Sequence, residues 1–200
     1  RHLTAMRFPL VTIAGDPRLA VTVNYNQKAG VHLAVEHLLA HGFTRLGFFG
    51  QMTGPFAAKF GHFLEALRQA GRSWNAALGH ACPTHHEAAA AAEALLAAPA
   101  RPEALFVDSY YKAEILVRTL AYHGLTVPGD LAVLAYGTEH AGGIRPPLSY
   151  VRVPGEEMGR EAASTLCRLI AGKVAPRTQR TLLPRWSRPA GAAGALQPQD

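Results

Sequence analysis

Cysteine is scarce in this sequence. Cys82 and Cys167 are the only two in 200 residues, and they lie far apart. That excludes a disulfide framework and fits a reducing compartment such as the cytoplasm. Long apolar runs are missing too. None approaches the ~18 residues that a membrane-crossing helix needs. Three loops that mark common chemistries are also absent: a Gly-x-Ser-x-Gly elbow, a Gly-x-Gly-x-x-Gly turn and a Walker loop. No Ser/His/Asp set is placed by spacing. The expectation is a protein that is not an enzyme and needs no cofactor.

The material present is that of a water-facing globular chain. Hydrophobic residues make up 48% and charged residues 17%, ordinary proportions for such a protein. Two hundred residues suffice for one or two compact lobes with their own cores. The net charge is +6, with ten histidines besides. An acidic partner would suit that balance. The basic residues are scattered, however, apart from Arg177, Arg180, Arg185 and Arg188 near the end. They read as a solvated surface rather than a nucleic-acid contact. The chain opens on Arg1 rather than Met, so an upstream segment is expected.

Strands and helices alternate. Phe8 to Ala14 reads as a short buried strand closed by Gly15-Asp16-Pro17, and Ala20 to Val23 as a second extended piece. Gly30 to Ala40 has apolar residues at helical spacing and stops at Gly42. Thr44 to Phe49 is a strand ending at Gly50, followed by a polar loop and a helix from about Ala57 to Gly71. A strand is expected near Leu78 to Cys82. Thr84 and Glu87 have capping-box spacing at the head of an Ala-rich helix over 85–98. Ala104 to Val107 is a strand, Tyr110 to His123 a helix, and 131–135 a strand. Pro146-Pro147 marks a crossover to an extended piece at 148–153. A helix over 156–171 follows, then a last strand near Thr181 to Leu183. Residues 189–200 look like a flexible tail. Such alternation predicts βαβ units, a parallel sheet and an α/β fold. In these sheets ligands bind beyond the carboxyl ends of the strands. The loops after Phe49, Cys82, Val107 and Ala135 should therefore converge.

His80, Cys82, His85, His86 and Glu87 lie within eight residues, and such clusters can bind zinc. The spacing argues against it. His80 and Cys82 share a strand face, but His85 and His86 point about 100° apart on a helix. No metal site is expected; His85 could instead touch a ligand.

Four segments resemble one family. Gly30 to Gly50, "GVHLAVEHLLAHGFTRLGFFG", is similar to the helix and strand of LacI/GalR-type transcription regulators. Val127 to Val133, "VPGDLAV", resembles their turn and strand, and Pro146 to Val151, "PPLSYV", their crossover. Met158-Gly159 and its helix fit the next segment. The resemblance covers about residues 8–188. It implies a periplasmic-binding-protein-like fold of two Rossmann-like parallel-sheet lobes joined by three crossovers. By this mapping 1–25 plus 153–180 are the remnant of an incomplete N-terminal lobe, and 26–152 plus 181–188 form the C-terminal lobe. It also implies a sugar or similar effector in the interlobe cleft, a homodimer, and operator DNA bound by a helix-turn-helix outside this chain. A periplasmic-type solute-binding protein of a transport system shares the fold and is the alternative.

The resemblance also places the ligand residues. Lys59 stands where the family usually has arginine, and a point charge does not replace a planar fork. Ser109-Tyr110 stands at the usual Asn-Asp pair, and Gly137 at the sugar-binding aspartate. Glu139 could substitute for that acid. Asn26 replaces a common aspartate, with Tyr25 beside it, and Phe56 lies in the loop leading to Lys59. The departures gather at ligand positions, so the effector is expected to differ from a standard hexose. Lys59 with few carboxylates suggests an anionic metabolite. Each residue has a plainer reading: Lys59 and Glu139 as solvated charges, Tyr25, Tyr110 and Tyr111 as packing, and Ser109 as a helix cap.

Overall fold

The fold is that of a computed structural model, which describes residues 8–15, 21–138, 148–173 and 178–187. Glu139, the Asp16-Pro17 turn, Ala20, Pro146-Pro147 and the 189–200 tail lie outside the described residues. The chain divides into two units. One comprises Arg1–Asn26 and Val153–Pro184, the other Gln27–Arg152 and Arg185–Asp200.

The smaller unit holds β1 (Thr12–Ile13), β2 (Val21–Tyr25) and β8 (Thr178–Leu182), all parallel, in the order β1-β2-β8. Its helix is α5 (Gly155–Ile170). Met158, Ala162 and Thr165 recur at helical spacing and are the buried stripe of α5. Met158 and Ala162 pack with Val23 of β2. Glu156 and Glu157 lie in the first turn and Arg168 in the last, signs that complement the helix dipole. The expected buried strand over 8–14 is reduced here to β1. Among the described residues it lies at one edge of the sheet, and Phe8 and Ile13 are 59% and 50% exposed.

The larger unit is an α/β domain with a six-stranded sheet. Its strands are β3 (Leu46–Gly50), β4 (Gly79–Ala81), β5 (Ala104–Val107), β6 (Ala132–Gly137), β7 (Tyr150–Arg152) and β9 (Arg185–Ser187). The order is β4-β3-β5-β6-β7-β9, parallel throughout except that β9 runs antiparallel to β7. Every residue of β3 and β5 is buried, as expected for parallel strands covered on both faces. Alternation divides their side chains. Phe48 meets Phe60 and Phe63 of α2 (Ala58–Gln69), and Phe106 lies against Phe63 on one side and edge-on to Tyr136. Phe49, Leu105, Val107 and Ala135 pack with α3 (Ala88–Ala97) and α4 (Tyr110–Tyr122). Helix α1 (Gln27–Ala40) lies against α2 and buries Val31, Ala34, Val35 and Leu38.

The expected stop of α1 at Gly42 is a left-handed cap. Gly42 has φ 83°, and the amides of Gly42 and Phe43 return to Leu39 O and Leu38 O. The capping box forms differently from its reading. Thr84 Oγ1 donates to Glu87 Oε1 at 2.8 Å, and a 3₁₀ turn over His85–Glu87 precedes α3. Residues 85–87 are thus not α-helical. The last strand is two strands, β8 and β9, one in each unit.

Candidate functional site

The carboxyl ends of β3, β4, β5 and β6 lie along one edge of the larger sheet, because those strands are parallel and in register. The loops leaving that edge make a rim, and Asp108 organises it. It follows β5 directly and is buried. Gln51 N donates to Asp108 Oδ2 at 2.9 Å, which ties the loop after β3 to the end of β5. Lys112, one turn into α4, places its ammonium 3.0 Å from Oδ1 and 3.2 Å from Oδ2. The same ammonium donates to Cys82 O at 2.6 Å, just beyond β4. One buried ion pair therefore joins three strand ends. Gly50 makes room for it: a Cβ there would lie 2.2 Å from Asp108 Cγ.

Lys59 comes in from α2. Its Nζ donates to Asp108 O at 2.7 Å and stands 5.1 Å from the centroid of the Tyr136 ring. Burial holds its pKa below the ordinary lysine value, with Asp108 opposing and Lys112 adding to that shift. An ammonium has three donors, and one is used on Asp108 O. Counting Lys59, Lys112 and Asp108, the rim carries one net positive charge.

Ser109 has the extended backbone of an N-cap, φ −148° and ψ 133°, yet its side chain makes no capping hydrogen bond. The cap reading of that hydroxyl thus lacks its bond. Gly137 follows Tyr136 with φ 138°, and a Cβ there would come 3.3 Å from Tyr110 N. Lys59, Ser109 and Gly137 are therefore close neighbours, joined through Asp108, Tyr110 and Tyr136. Tyr110 itself is only 2% exposed and packs edge-on to Tyr150 at 4.9 Å. Its ring belongs to the core, in keeping with the packing reading. Tyr111 is the more exposed of the pair, with His85 edge-on to it at 5.1 Å. Phe56 is 78% exposed in the loop before α2. Tyr25 ends β2 in the smaller unit and Asn26 follows it, its N donating to Leu182 O at 2.8 Å.

Asp108 and Lys112 were not among the residues anticipated from sequence. A signal existed: an acid at a strand end and a base four residues on, in the first turn of the next helix, can meet. The histidine segment does other work. The His85 and His86 rings pack, tilted, with centroids 4.0 Å apart, and the Cys82 thiol donates to Thr84 O at 3.2 Å. Burial pushes that thiol up to about 11. Among the described residues no three His, Cys, Asp or Glu are grouped to hold a metal.

A model of the periplasmic binding protein-like domain matches residues 35–188. The chain belongs to that family. Its relatives are LacI-family regulators. The HTH-type transcriptional regulator GntR of Pseudomonas aeruginosa is 31% identical over 156 residues, 76% of this chain and 45% of that protein. A putative LacI-family regulator from Sanguibacter keddieii has a solved structure that superposes with a TM-score of 0.79 at 28% identity, over 93% of this chain and 74% of that one. The transcriptional regulator CelR–cellobiose complex gives 0.74 at 25% identity, over 87% and 54%. These relatives are transcription regulators by name, not enzymes. The family chain spans about half the length of most curated relatives it matches. No helix among its described residues is long and apolar enough to cross a membrane.

Proposed function

We propose that the chain is the effector-sensing module of a bacterial DNA-binding transcription regulator. In this reading the rim of the larger unit takes a small polar metabolite, a sugar or sugar-like compound with an anionic group. Lys59 supplies the charge, Ser109 a hydroxyl, and Phe56 an apolar face. Glu139 and the smaller unit's Tyr25 and Asn26 remain candidates on the same grounds as before. The observation that carries the reading is Lys59. Its ammonium is largely withdrawn from water at the strand ends, with donors to spare beside an uncapped serine. A charge held that way attracts an anion more strongly than an exposed one. The kinship with regulators supports the rest. One of them is described with cellobiose bound.

Asp108 could have served as a carboxylate for neutral sugar hydroxyls, but its Oδ2 accepts from Gln51 N and the Lys112 ammonium, and its Oδ1 is buried 3.0 Å from that same ammonium. That favours phosphorylated or acidic compounds over neutral hexoses. Binding would act by population shift, favouring the conformation that the ligand contacts best. Operator DNA, a second copy of the chain and a cytoplasmic setting are the partners and place this reading implies. Calorimetry with matched neutral and phosphorylated sugars tests it. The anionic member of each pair should bind at least about tenfold more tightly, as expected for a charge-assisted contact, and Lys59→Met should erase the difference. Tighter binding of the neutral sugars, unaffected by Lys59→Met, would sink it.

A further inference from the structure

The lysines of this chain are Lys28, Lys59, Lys112 and Lys173, and each is held differently. Lys28 is exposed and pairs with Glu65 at 2.5 Å. Lys173 is exposed just beyond α5. Lys112 is buried, and its ammonium serves the Asp108 carboxylate, Cys82 O and Pro83 O. Lys59 is withdrawn from water with no carboxylate bonded to it. Its one hydrogen-bond partner among the described residues is the backbone oxygen of Asp108, at 2.7 Å. The Asp108 carboxylate is engaged by Lys112 and Gln51 N. A desolvated ammonium resting on a single neutral acceptor is a costly arrangement.

That arrangement favours the neutral amine. Burial lowers the pKa of Lys59, Asp108 opposes the fall, and Lys112, a second cation at the same aspartate, adds to it. Desolvation and a neighbouring cation are the two devices that turn a lysine into a nucleophile. The bond to Asp108 O survives the loss of a proton, since an amine still donates N–H there and keeps its lone pair for another partner. The nitrogen is also within reach of a solute: Lys59 is half-buried, whereas Lys112 is 7% exposed. The Tyr136 ring, 5.1 Å from Nζ, suits any cation formed at that position.

We propose that Lys59 captures a small polar aldehyde as an imine. The Nζ lone pair forms a bond to the aldehyde carbon, and one amine proton passes to the carbonyl oxygen, giving a carbinolamine. The new hydroxyl then leaves with the second amine proton as water, and a C=N bond remains. Nothing is oxidised or reduced, and water reverses the step. A proton from solvent makes the iminium, whose N–H serves Asp108 O and whose charge replaces that of the ammonium. The anionic part of a ligand is therefore met by either form. The step is a stoichiometric capture, not turnover. It rests on the rim being the effector site and narrows the effector to compounds with a free aldehyde, open-chain sugars among them.

The experiment uses the whole 200-residue chain at neutral pH. D-glyceraldehyde or its 3-phosphate is added with sodium cyanoborohydride, which fixes an imine as a stable secondary amine. Peptide mapping by mass spectrometry assigns each adduct and separates the lysines from the amino terminus. Lys59 should be labelled at least about tenfold faster than Lys173 by both aldehydes, a small share of what holding two reactants together can gain. Lys59→Arg keeps a cation and should abolish the fast adduct, with Lys28 and Lys173 labelled as before. The proposal is overturned if Lys59 is labelled no faster than Lys173, or if a fast lysine adduct persists in Lys59→Arg. Calorimetry with glycerol 3-phosphate, which has no carbonyl, follows anion binding separately. If that compound binds and Lys59 is not labelled fast, the imine falls and the anion reading of the rim stands. If Lys59 is labelled fast by both aldehydes and glycerol 3-phosphate does not bind, the imine stands and the anion reading falls.

Discussion

Asp108 and Lys112 form a pair that tolerates the loss of both partners better than the loss of one. Both side chains are under 10% exposed. Asp108→Ala would leave an ammonium buried with only carbonyl partners, and should cost about 3–5 kcal/mol. The double replacement Asp108→Leu with Lys112→Met should recover most of that. Urea unfolding measures both; a single-variant loss below about 1 kcal/mol would show that the pair is not buried as described. Lys59 behaves differently. Its lowered pKa means that the fold disfavours the charged form relative to the unfolded chain. Lys59→Met should therefore leave the melting temperature near that of the parent while removing the anion preference. A large fall in melting temperature would mean that the bond to Asp108 O matters more to the fold than to binding.

Among the elements, β3 and its closing turn are the most demanding. Its five residues are all buried, and Gly50 sits against Asp108. Gly50→Ala forces a methyl into that carboxylate and should destabilise by about 1–3 kcal/mol. It should also disturb the Gln51 amide bond that holds the loop. Amide hydrogen exchange at Gln51 is the measurement, and unchanged protection there would contradict the clasp. Helices α1, α4 and α5 and strand β5 were legible because apolar spacing and glycine stops are local properties. Strand β9 was not. Arg185-Trp186-Ser187 has no strand pattern of its own. It is a strand because Tyr150 pairs with Ser187 and because the Trp186 ring packs, tilted, against His37 at 3.9 Å. The 85–87 turn was missed for the converse reason: capping-box spacing is local, but here Thr84 bonds the glutamate side chain instead of the helix.

Across the whole molecule, acid should weaken the fold in two stages. Burial lowers the pKa of His80, and burial is the leading cause at His62 too, against the pull of Glu65. For both, the unfolded chain takes up protons first. Their contribution is complete above about pH 6.5 and is lost as pH falls from there toward the folded values. Glu103 has its carboxyl held down by the amides of Arg45 and Thr44, so its share is lost only at lower pH, below the ordinary glutamate range. The melting temperature should therefore decline between pH 7 and 5, and less steeply in a His62→Gln, His80→Gln variant. A slope identical in parent and variant would assign the acid sensitivity to other groups.

Sequence alone determined the α/β class, the family and the edge of the sheet where the rim lies, because periodicity, glycine punctuation and short motifs are written along the chain. Lys59, Ser109 and Gly137 could be nominated from it for the same reason. Only the folded chain decided that Asp108 and Lys112 hold the strand ends together and that Tyr110 turns into the core. Those facts depend on residues dozens of positions apart meeting in space, and on which charges water can still reach once they have met.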